Sequence, residues 1–233
     1  MDVNAMKRTA GIEACDWVFD GMSVGLGTGS TVAHTVIELG RRVCEEGLDI
    51  VGVPTSIATM ELATEVGIPL TSLSHAGQLD LVIDGTDEYD PHFTLIKGGG
   101  GALTREKVVA QSSKGMVVVA DRRKRVDVLG TFPLPVEVIN FEWMRTMERL
   151  SEICPGAVTI RGGKTPLVTD NGGLILDCEF GPTITQASAL ESEILSIAGV
   201  VEVGLFCGLC DVVVLADEDS VVTSISPDSR LSA

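Results

Sequence analysis

Basic and aromatic side chains are scarce in this sequence. Its 233 residues hold 17 Lys and Arg against 33 Asp and Glu, a formal net charge of −16, and its aromatics are six Phe, two Trp and one Tyr. Duplex nucleic acid is bound through clustered Lys and Arg, so this balance argues against a nucleic-acid partner. It argues against an anionic membrane surface for the same reason. Long apolar runs are also missing. The longest, Met116–Ala120 and Val212–Ala216, suit buried strands and fall far short of the roughly 20 residues that span a bilayer. The first residues carry Asp2, Lys7, Arg8 and Glu13 and no apolar signal-peptide core, so a soluble cytoplasmic protein is expected. Histidine is limited to His34, His75 and His92, all isolated. Six scattered cysteines in a chain this long make no disulfide framework, and Cys207-x-x-Cys210 lacks the second pair or the histidines of a zinc site.

What is present points to a folded enzyme-sized chain. At 45% hydrophobic residues, it can bury a core as one large domain or two small ones, and intrinsic disorder is excluded. The carboxylates are dispersed rather than gathered into a tail, which suits a high-salt habitat. At 1 M salt the screening length shrinks to about 3 Å, so self-repulsion costs little.

The first half alternates short apolar runs with helical periods. Helices are expected at 3–19, 31–46, 57–66 and 103–112, and strands at 24–26, 50–53, 79–83 and 116–120. Continuous apolar strands alternating with helices indicate a parallel sheet covered on both faces. The pattern changes at Thr131-Phe132-Pro133-Leu134-Pro135, where two prolines suggest a connector. A strand at 136–139, a helix at 141–152 and a strand at 157–160 follow. A hairpin turning at Asp170-Asn171-Gly172-Gly173, a helix at 185–197 and a strand at 200–203 complete the series. The β-α-β-β-α-β order is ferredoxin-like. Final strands at 211–216 and 221–225 return to the first sheet. The expected architecture is α/β: a Rossmann-like parallel-sheet catalytic domain at 1–132 plus 204–233, and a smaller ferredoxin-like α+β domain at 133–203.

Four segments can carry chemistry. Gly25-Leu26-Gly27-Thr28-Gly29-Ser30-Thr31 lies between a strand and a helix. Backbone N–H groups there can cradle a phosphate, or the segment can be a tight turn with a helix cap. It matches neither the dinucleotide fingerprint nor the Walker motif. Asp84-Gly85-Thr86-Asp87-Glu88 ends a buried strand, where ligands sit in open α/β sheets. Its carboxylates suit acid–base work or sugar hydroxyls, a hard cation, or merely an acidic loop. Lys97-Gly98-Gly99-Gly100-Gly101 precedes a helix with Glu106 in its first turns. Its place inside the α/β pattern favours function over a flexible linker. Arg122-Arg123-Lys124-Arg125 is the one basic cluster, either a phosphate clamp or a solvated loop.

In this order, GLGTGST, DGTDE, KGGGGALTREK and the Ala120–Lys124 segment resemble the type A ribose-5-phosphate isomerase family. The resemblance continues through Val126–Gly130, Phe132–Val138, Val168–Gly172, Pro182 and Gly199–Phe206, nearly the whole chain. It implies a Rossmann-like domain with a ferredoxin-like one, a homodimer or homotetramer, and interconversion of ribose 5-phosphate and ribulose 5-phosphate without cofactor or metal. It further implies Glu106 as catalytic base and Thr28, Gly29, Ser30 and Thr31 as the substrate-binding turn. Asp84, Gly85, Thr86 and Asp87 become the sugar-binding loop, and Lys97, Gly98, Gly99, Gly100 and Lys124 the remaining contacts. Ser30, Thr31 and Lys124, with Lys7 in a lesser role, are expected to anchor the phosphate. Asp84 or Asp87, with Lys97, is expected to open the sugar ring. Thr86 and Gly101 stand where the family usually has Ala, and Arg123 where Ser is common. A metal-dependent isomerase would need a His/Glu ligand cluster, which the motifs lack. The alternative is a non-catalytic sugar-phosphate sensor, which would need no base and would usually carry a DNA-binding segment, for which residues 1–20 leave no room. An amino-sugar phosphate deaminase or a lactonase of related architecture would be expected to use a histidine in these motifs.

Overall fold

Six strands build the larger sheet of the computed structural model, which describes residues 2–217 and 220–231. In chain order, the elements begin with helix α1 (Val3–Glu13), strand β1 (Met22–Leu26), helix α2 (Val32–Arg41), strand β2 (Ile50–Pro54), helices α3 (Ile57–Glu65) and α4 (Leu73–Ala76), and strand β3 (Leu81–Gly85). The two-residue strands β4 (Glu88–Tyr89) and β5 (Leu95–Ile96) come next, then helix α5 (Leu103–Gln111) and strand β6 (Met116–Asp121). Next come β7 (Leu134–Val138), α6 (Trp143–Ile153), β8 (Val158–Ile160), β9 (Leu174–Cys178), α7 (Ala187–Leu195) and β10 (Val200–Val203). Strands β11 (Leu205–Phe206), β12 (Val212–Ala216) and β13 (Val221–Ile225) close the chain.

The chain divides into two compact units: residues 1–86, 105–124 and 209–233, and residues 87–104 and 125–208. The first holds the sheet β13-β12-β6-β3-β1-β2, parallel except for β13. Val24, Leu26, Leu81, Ile83, Val117, Val119, Val212 and Val214 alternate along four strands and pack with Met6, Ala10, Val32, Val36 and Leu39 from α1 and α2. From β1 the chain moves outward to β2, then crosses back to β3 on the other side of β1. That reversal makes the β1/β3 boundary the switch point of the sheet, where an open α/β fold leaves a crevice at the carboxyl ends of its strands. Asp2 starts α1 by accepting the Ala5 N–H at 2.8 Å. The helix expected at 3–19 stops at Glu13 and tightens into a 3-10 turn over Ala14–Trp17. The one expected at 31–46 stops at Arg41 and widens into a π turn ended by left-handed Gly47.

The second unit holds the antiparallel sheet β10-β7-β9-β8, the ferredoxin-like order of its β-α-β-β-α-β segment. Leu134, Val136, Val138, Leu174, Leu176 and Val203 meet Leu150 of α6 and Ile194 of α7 in its core. The unit also contains the small sheet β11-β5-β4, which groups residues 87–104 and 204–208 with it. The sequence pattern draws those segments, and residues 125–132, with the first domain, because two-residue strands and short turns carry no periodicity to read. Strand β7 begins at Leu134, two residues earlier than expected, and takes Pro135 into the ladder opposite Asp177. The hairpin turn falls where expected: Gly172 N–H donates to Thr169 O at 2.9 Å, and Val168 bridges Leu174.

Candidate functional site

At the switch point of the first unit, the glycine turn and the end of β3 are built against each other. A Cβ on Gly27 would lie 2.2 Å from Asp84 Oδ1, so only glycine lets this carboxylate sit against the turn. Asp84 is fully buried and accepts the N–H groups of Thr28 at 3.1 Å and Gly85 at 2.7 Å. Gly27 N–H donates to Ile83 O at 2.9 Å, which extends the sheet pairing into the turn. Thr31 takes the cap position of α2, yet its side chain makes no capping bond. The turn therefore does not depend on its hydroxyl to start the helix.

A set of hydroxyls that sequence reasoning missed lies beside this turn. Thr28 Oγ1 is 2.7 Å from Thr55 Oγ1 and donates to Ser56 Oγ at 2.8 Å. Ser56 donates to Thr59 Oγ1 at 3.0 Å, and Thr59 donates to Gly27 O at 2.9 Å. The available signal was position, since Thr55-Ser56 directly follow β2 at the same carboxyl edge of the sheet. On the outer side, Lys7 Nζ donates to Ser30 Oγ at 2.8 Å. Partial burial, with the charges of Arg8 and Lys7, holds the His34 imidazole below its ordinary 6.5. Lys7 and Arg8 thus bring two cations to this edge of the turn.

Glu106 lies in the first turn of α5 and is 4% exposed; Lys107 beside it is 2% exposed. A carboxylate there is favoured by the N-terminal end of the helix dipole. At the end of β6, Asp121 is fully buried and receives the Arg123 backbone N–H at 3.1 Å and its Nε at 2.7 Å. Burial pushes the Asp121 carboxyl up, but the Arg123 hydrogen bonds and charge outweigh it and leave the group below its ordinary value. Arg123, the departure from the family's usual serine, thus neutralises a buried acid. Arg122 reaches Asp217 at 3.4 Å, and Lys124, half-buried, closes the turn that follows.

The DGTDE segment is divided, for Asp87 and Glu88 belong to the second unit. Asp87 accepts the Gly99 N–H at 2.6 Å, and a Cβ on Gly99 would collide with this carboxylate at 2.6 Å. Gly101 N–H donates to Gly98 O at 2.9 Å, so the glycines form a closed turn rather than a linker. Lys97 is 2% exposed, with its ammonium 5.4 Å from the centre of the Phe206 ring and its backbone N–H 2.8 Å from Gly204 O. Glu88 accepts the N–H groups of Gly130 and Phe132 and has a structural part.

Two further charged groups of this unit escaped the sequence reading. Glu137, fully buried in β7, accepts hydrogen bonds from Thr104, Thr169 and Asn171. Arg161 pairs with Asp177 and donates to Gly98 O and Gly99 O. Glu137 sits at a strand position where a polar residue reads as a solvent-facing alternate, and Arg161 directly follows β8, where it reads as the start of a solvated turn. Among the described residues, no group of three or more His, Cys, Asp or Glu is placed to hold a metal ion. The six cysteines are free thiols, and among the described residues no helix is long and apolar enough to cross a membrane.

A Rossmann-like sheet with a glycine turn and a buried carboxylate at its switch point, joined to a ferredoxin-like unit, defines an α/β class suited to small anionic ligands. Within that class the comparisons are specific. Residues 51–220 match the family model of ribose 5-phosphate isomerase A (phosphoriboisomerase A). The chain is 46% identical over 217 residues to ribose-5-phosphate isomerase A 1 of Oceanobacillus iheyensis, covering 93% of this chain and 96% of that one. The solved ribose 5-phosphate isomerase A of Methanocaldococcus jannaschii superposes with a TM-score of 0.91 at 41% identity, covering 96% of this chain and all of the other. A D-ribose-5-phosphate isomerase in complex with phospho-erythronic acid gives 0.93 at 40% identity, covering 97% and 100%. The chain belongs to the ribose 5-phosphate isomerase A family.

Proposed function

We propose that this protein interconverts D-ribose 5-phosphate and D-ribulose 5-phosphate, with Glu106 as the general base. The observation that carries the assignment is a buried carboxylate in the first turn of α5, within the LTREK motif of a family member. Isomerisation takes the proton from C2 of the open-chain aldose, passes through an enediolate, and returns a proton to C1. One carboxylate can do both, because the two carbons are adjacent. Negative charge grows on the sugar oxygens as the proton leaves. We assign the preorganised positive charge that meets it to the Lys97 ammonium and to backbone N–H groups of the Gly98–Gly100 turn other than that of Gly99, which Asp87 holds. Opening of the cyclic sugar is assigned to Asp84 or Asp87 with Lys97.

Thr28, Gly29, Ser30 and Thr31 bind substrate, with Ser30, Thr31, Lys124 and Lys7 on the phosphate; the Lys7–Ser30 bond supports Lys7 in this role. Gly85 and Thr86 complete the sugar loop. Phosphate anchoring fixes the reacting carbons against the base. The relative bound to phospho-erythronic acid supports a phosphorylated sugar chain as the ligand class. We further propose a cytoplasmic homodimer or homotetramer whose acidic surface is adapted to high salt, and a reaction needing neither cofactor nor metal. The sensor reading is not favoured, since a sensor has no use for a buried base in this motif.

The test is turnover of ribose 5-phosphate with chelator present, for wild type and Glu106→Gln. Loss of a general base is expected to cut kcat by about 10²–10⁴ while substrate binding persists. Unchanged kcat in Glu106→Gln would overturn the assignment of the base.

A further inference from the structure

The Gly98–Gly101 turn is gripped from both sides by charged side chains of its own unit. Arg161 follows directly on β8 and continues its pairing, with its backbone N–H donating to Ile175 O at 2.9 Å. Its guanidinium makes two sets of bonds at once. Nε and Nη2 engage the two oxygens of Asp177 on β9, Nε at 2.9 Å. Nη1 donates to Gly98 O at 2.7 Å and to Gly99 O at 3.0 Å. Four of the five guanidinium N–H groups are thereby committed, with 16% of the side chain left exposed. On the other side, Asp87 accepts the Gly99 N–H at 2.6 Å.

Peptide planarity turns this grip into an orientation. In a trans peptide the C=O and the following N–H point in opposite directions. The Gly98 carbonyl aimed at Arg161 therefore sends the Gly99 N–H to the opposite face, where Asp87 receives it. The Gly99 carbonyl aimed at Arg161 likewise sends the Gly100 N–H away from Arg161. A run of four glycines has the weakest intrinsic conformational preference of any tetrapeptide, so its peptide planes must be set from outside. Two carbonyls drawn to one fixed cation accomplish that.

We propose that Arg161, aimed by Asp177, is a positioning residue for the isomerisation: it sets the 98–99 and 99–100 peptide planes so that the Gly99 N–H holds the Asp87 carboxylate and the Gly100 N–H faces the charge that develops on the substrate. The inference rests on the isomerase reading above and deepens it. Arg161 touches no substrate atom and acts through the turn. Lysine is no substitute, because one compact ammonium cannot chelate a carboxylate and span two carbonyls together.

The test compares wild type with Arg161→Gln, Arg161→Lys and Asp177→Asn. It reads kcat, KM, the thermal midpoint, and inhibition by phospho-erythronic acid and by inorganic phosphate. Phospho-erythronic acid carries a carboxylate where the enediolate would lie, whereas inorganic phosphate probes only the phosphate anchor. In Arg161→Gln, kcat should fall by about 10- to 100-fold, as expected for misplaced oxyanion donors, with KM within about threefold of wild type. The Ki for phospho-erythronic acid should rise by about tenfold or more and that for phosphate by less than about twofold. Arg161→Lys should fail to restore kcat, and Asp177→Asn should show the same split at smaller size. A merely structural arginine would lower the thermal midpoint and leave kcat of the folded fraction unchanged. That outcome, or full kcat in Arg161→Lys, overturns the proposal. If Arg161→Gln does not fold, unchanged kcat in Asp177→Asn overturns it instead. Wild type that turns over ribose 5-phosphate beside an unimpaired Arg161→Gln removes this inference alone. Wild type without turnover removes the isomerase reading and this inference together.

Discussion

An alanine at position 27 would place its Cβ 2.2 Å from Asp84 Oδ1, 2.4 Å from Asp84 Cγ and 2.6 Å from Asp84 Cα. The contact includes backbone, so turning a side chain cannot relieve it. Gly27 and Asp84 sit on adjacent parallel strand ends, locked by the Gly27 N–H to Ile83 O bond and the Thr28 N–H to Asp84 bond. Relief requires β3 and the turn to part by about an ångström, and overpacking of this kind costs about 1–3 kcal/mol. For a chain of this size that is a fall in Tm of about 2–12 °C. Activity should suffer more, because an ångström of misplacement at a positioning group costs about 100-fold in rate. Gly85→Ala is the matched control. It flanks Asp84 on the other side, its nearest neighbour to an added Cβ is Val32 at 3.5 Å, and its backbone is not left-handed. Thermal denaturation and kcat/KM on ribose 5-phosphate for both variants decide the matter. Gly27→Ala should lose heavily on both measures, and Gly85→Ala should keep its Tm. Equal Tm values for Gly27→Ala and wild type would refute the close approach argued here.

The pH and salt responses follow from other charges. Asp121 is held below its ordinary 3.8, so it contributes stability that is full above that value and is lost as pH falls through the lower folded value. Arg123→Ser removes the group that opposes burial, so the acid-unfolding midpoint followed by circular dichroism should move to higher pH; an unchanged midpoint would refute the pairing. For the whole chain at −16, stability should rise steeply from dilute buffer to molar salt, and substrate capture should improve alongside it. Full stability in dilute buffer would dispose of the high-salt adaptation.

The parts of the fold legible in the sequence were those with a strong period. The continuous apolar runs of β3, β6 and β12 marked a buried parallel sheet, and β13 and β10 fell at the expected residues. The two-residue strands β4, β5 and β11 were not legible, since two residues make no pattern. Pro135 pointed to a connector because proline weakens a ladder, yet it lies inside β7. At the site, glycine turns and acids in fixed order were readable as motifs. Arg161, Glu137 and the Thr55, Ser56 and Thr59 hydroxyls were not. Their importance comes from which loop the fold sets beside them, up to 63 positions away in the case of Arg161 and Gly98.

The four hydroxyls next to the glycine turn have an electrical consequence. A hydroxyl has one proton to give, so Thr28 to Ser56, Ser56 to Thr59 and Thr59 to Gly27 O run in a single sense, with Thr55 at the head. Each bond polarises the next, and the O–H dipoles add head to tail. Electrically the cluster is one vector that starts just past β2, at Thr55, and discharges into the carbonyl of the turn. Thr28 Oγ1 also lies 3.2 Å from Thr59 Oγ1, so Thr59 is the common outlet of the cluster, and losses at Thr59 and at a second of these positions would overlap rather than sum.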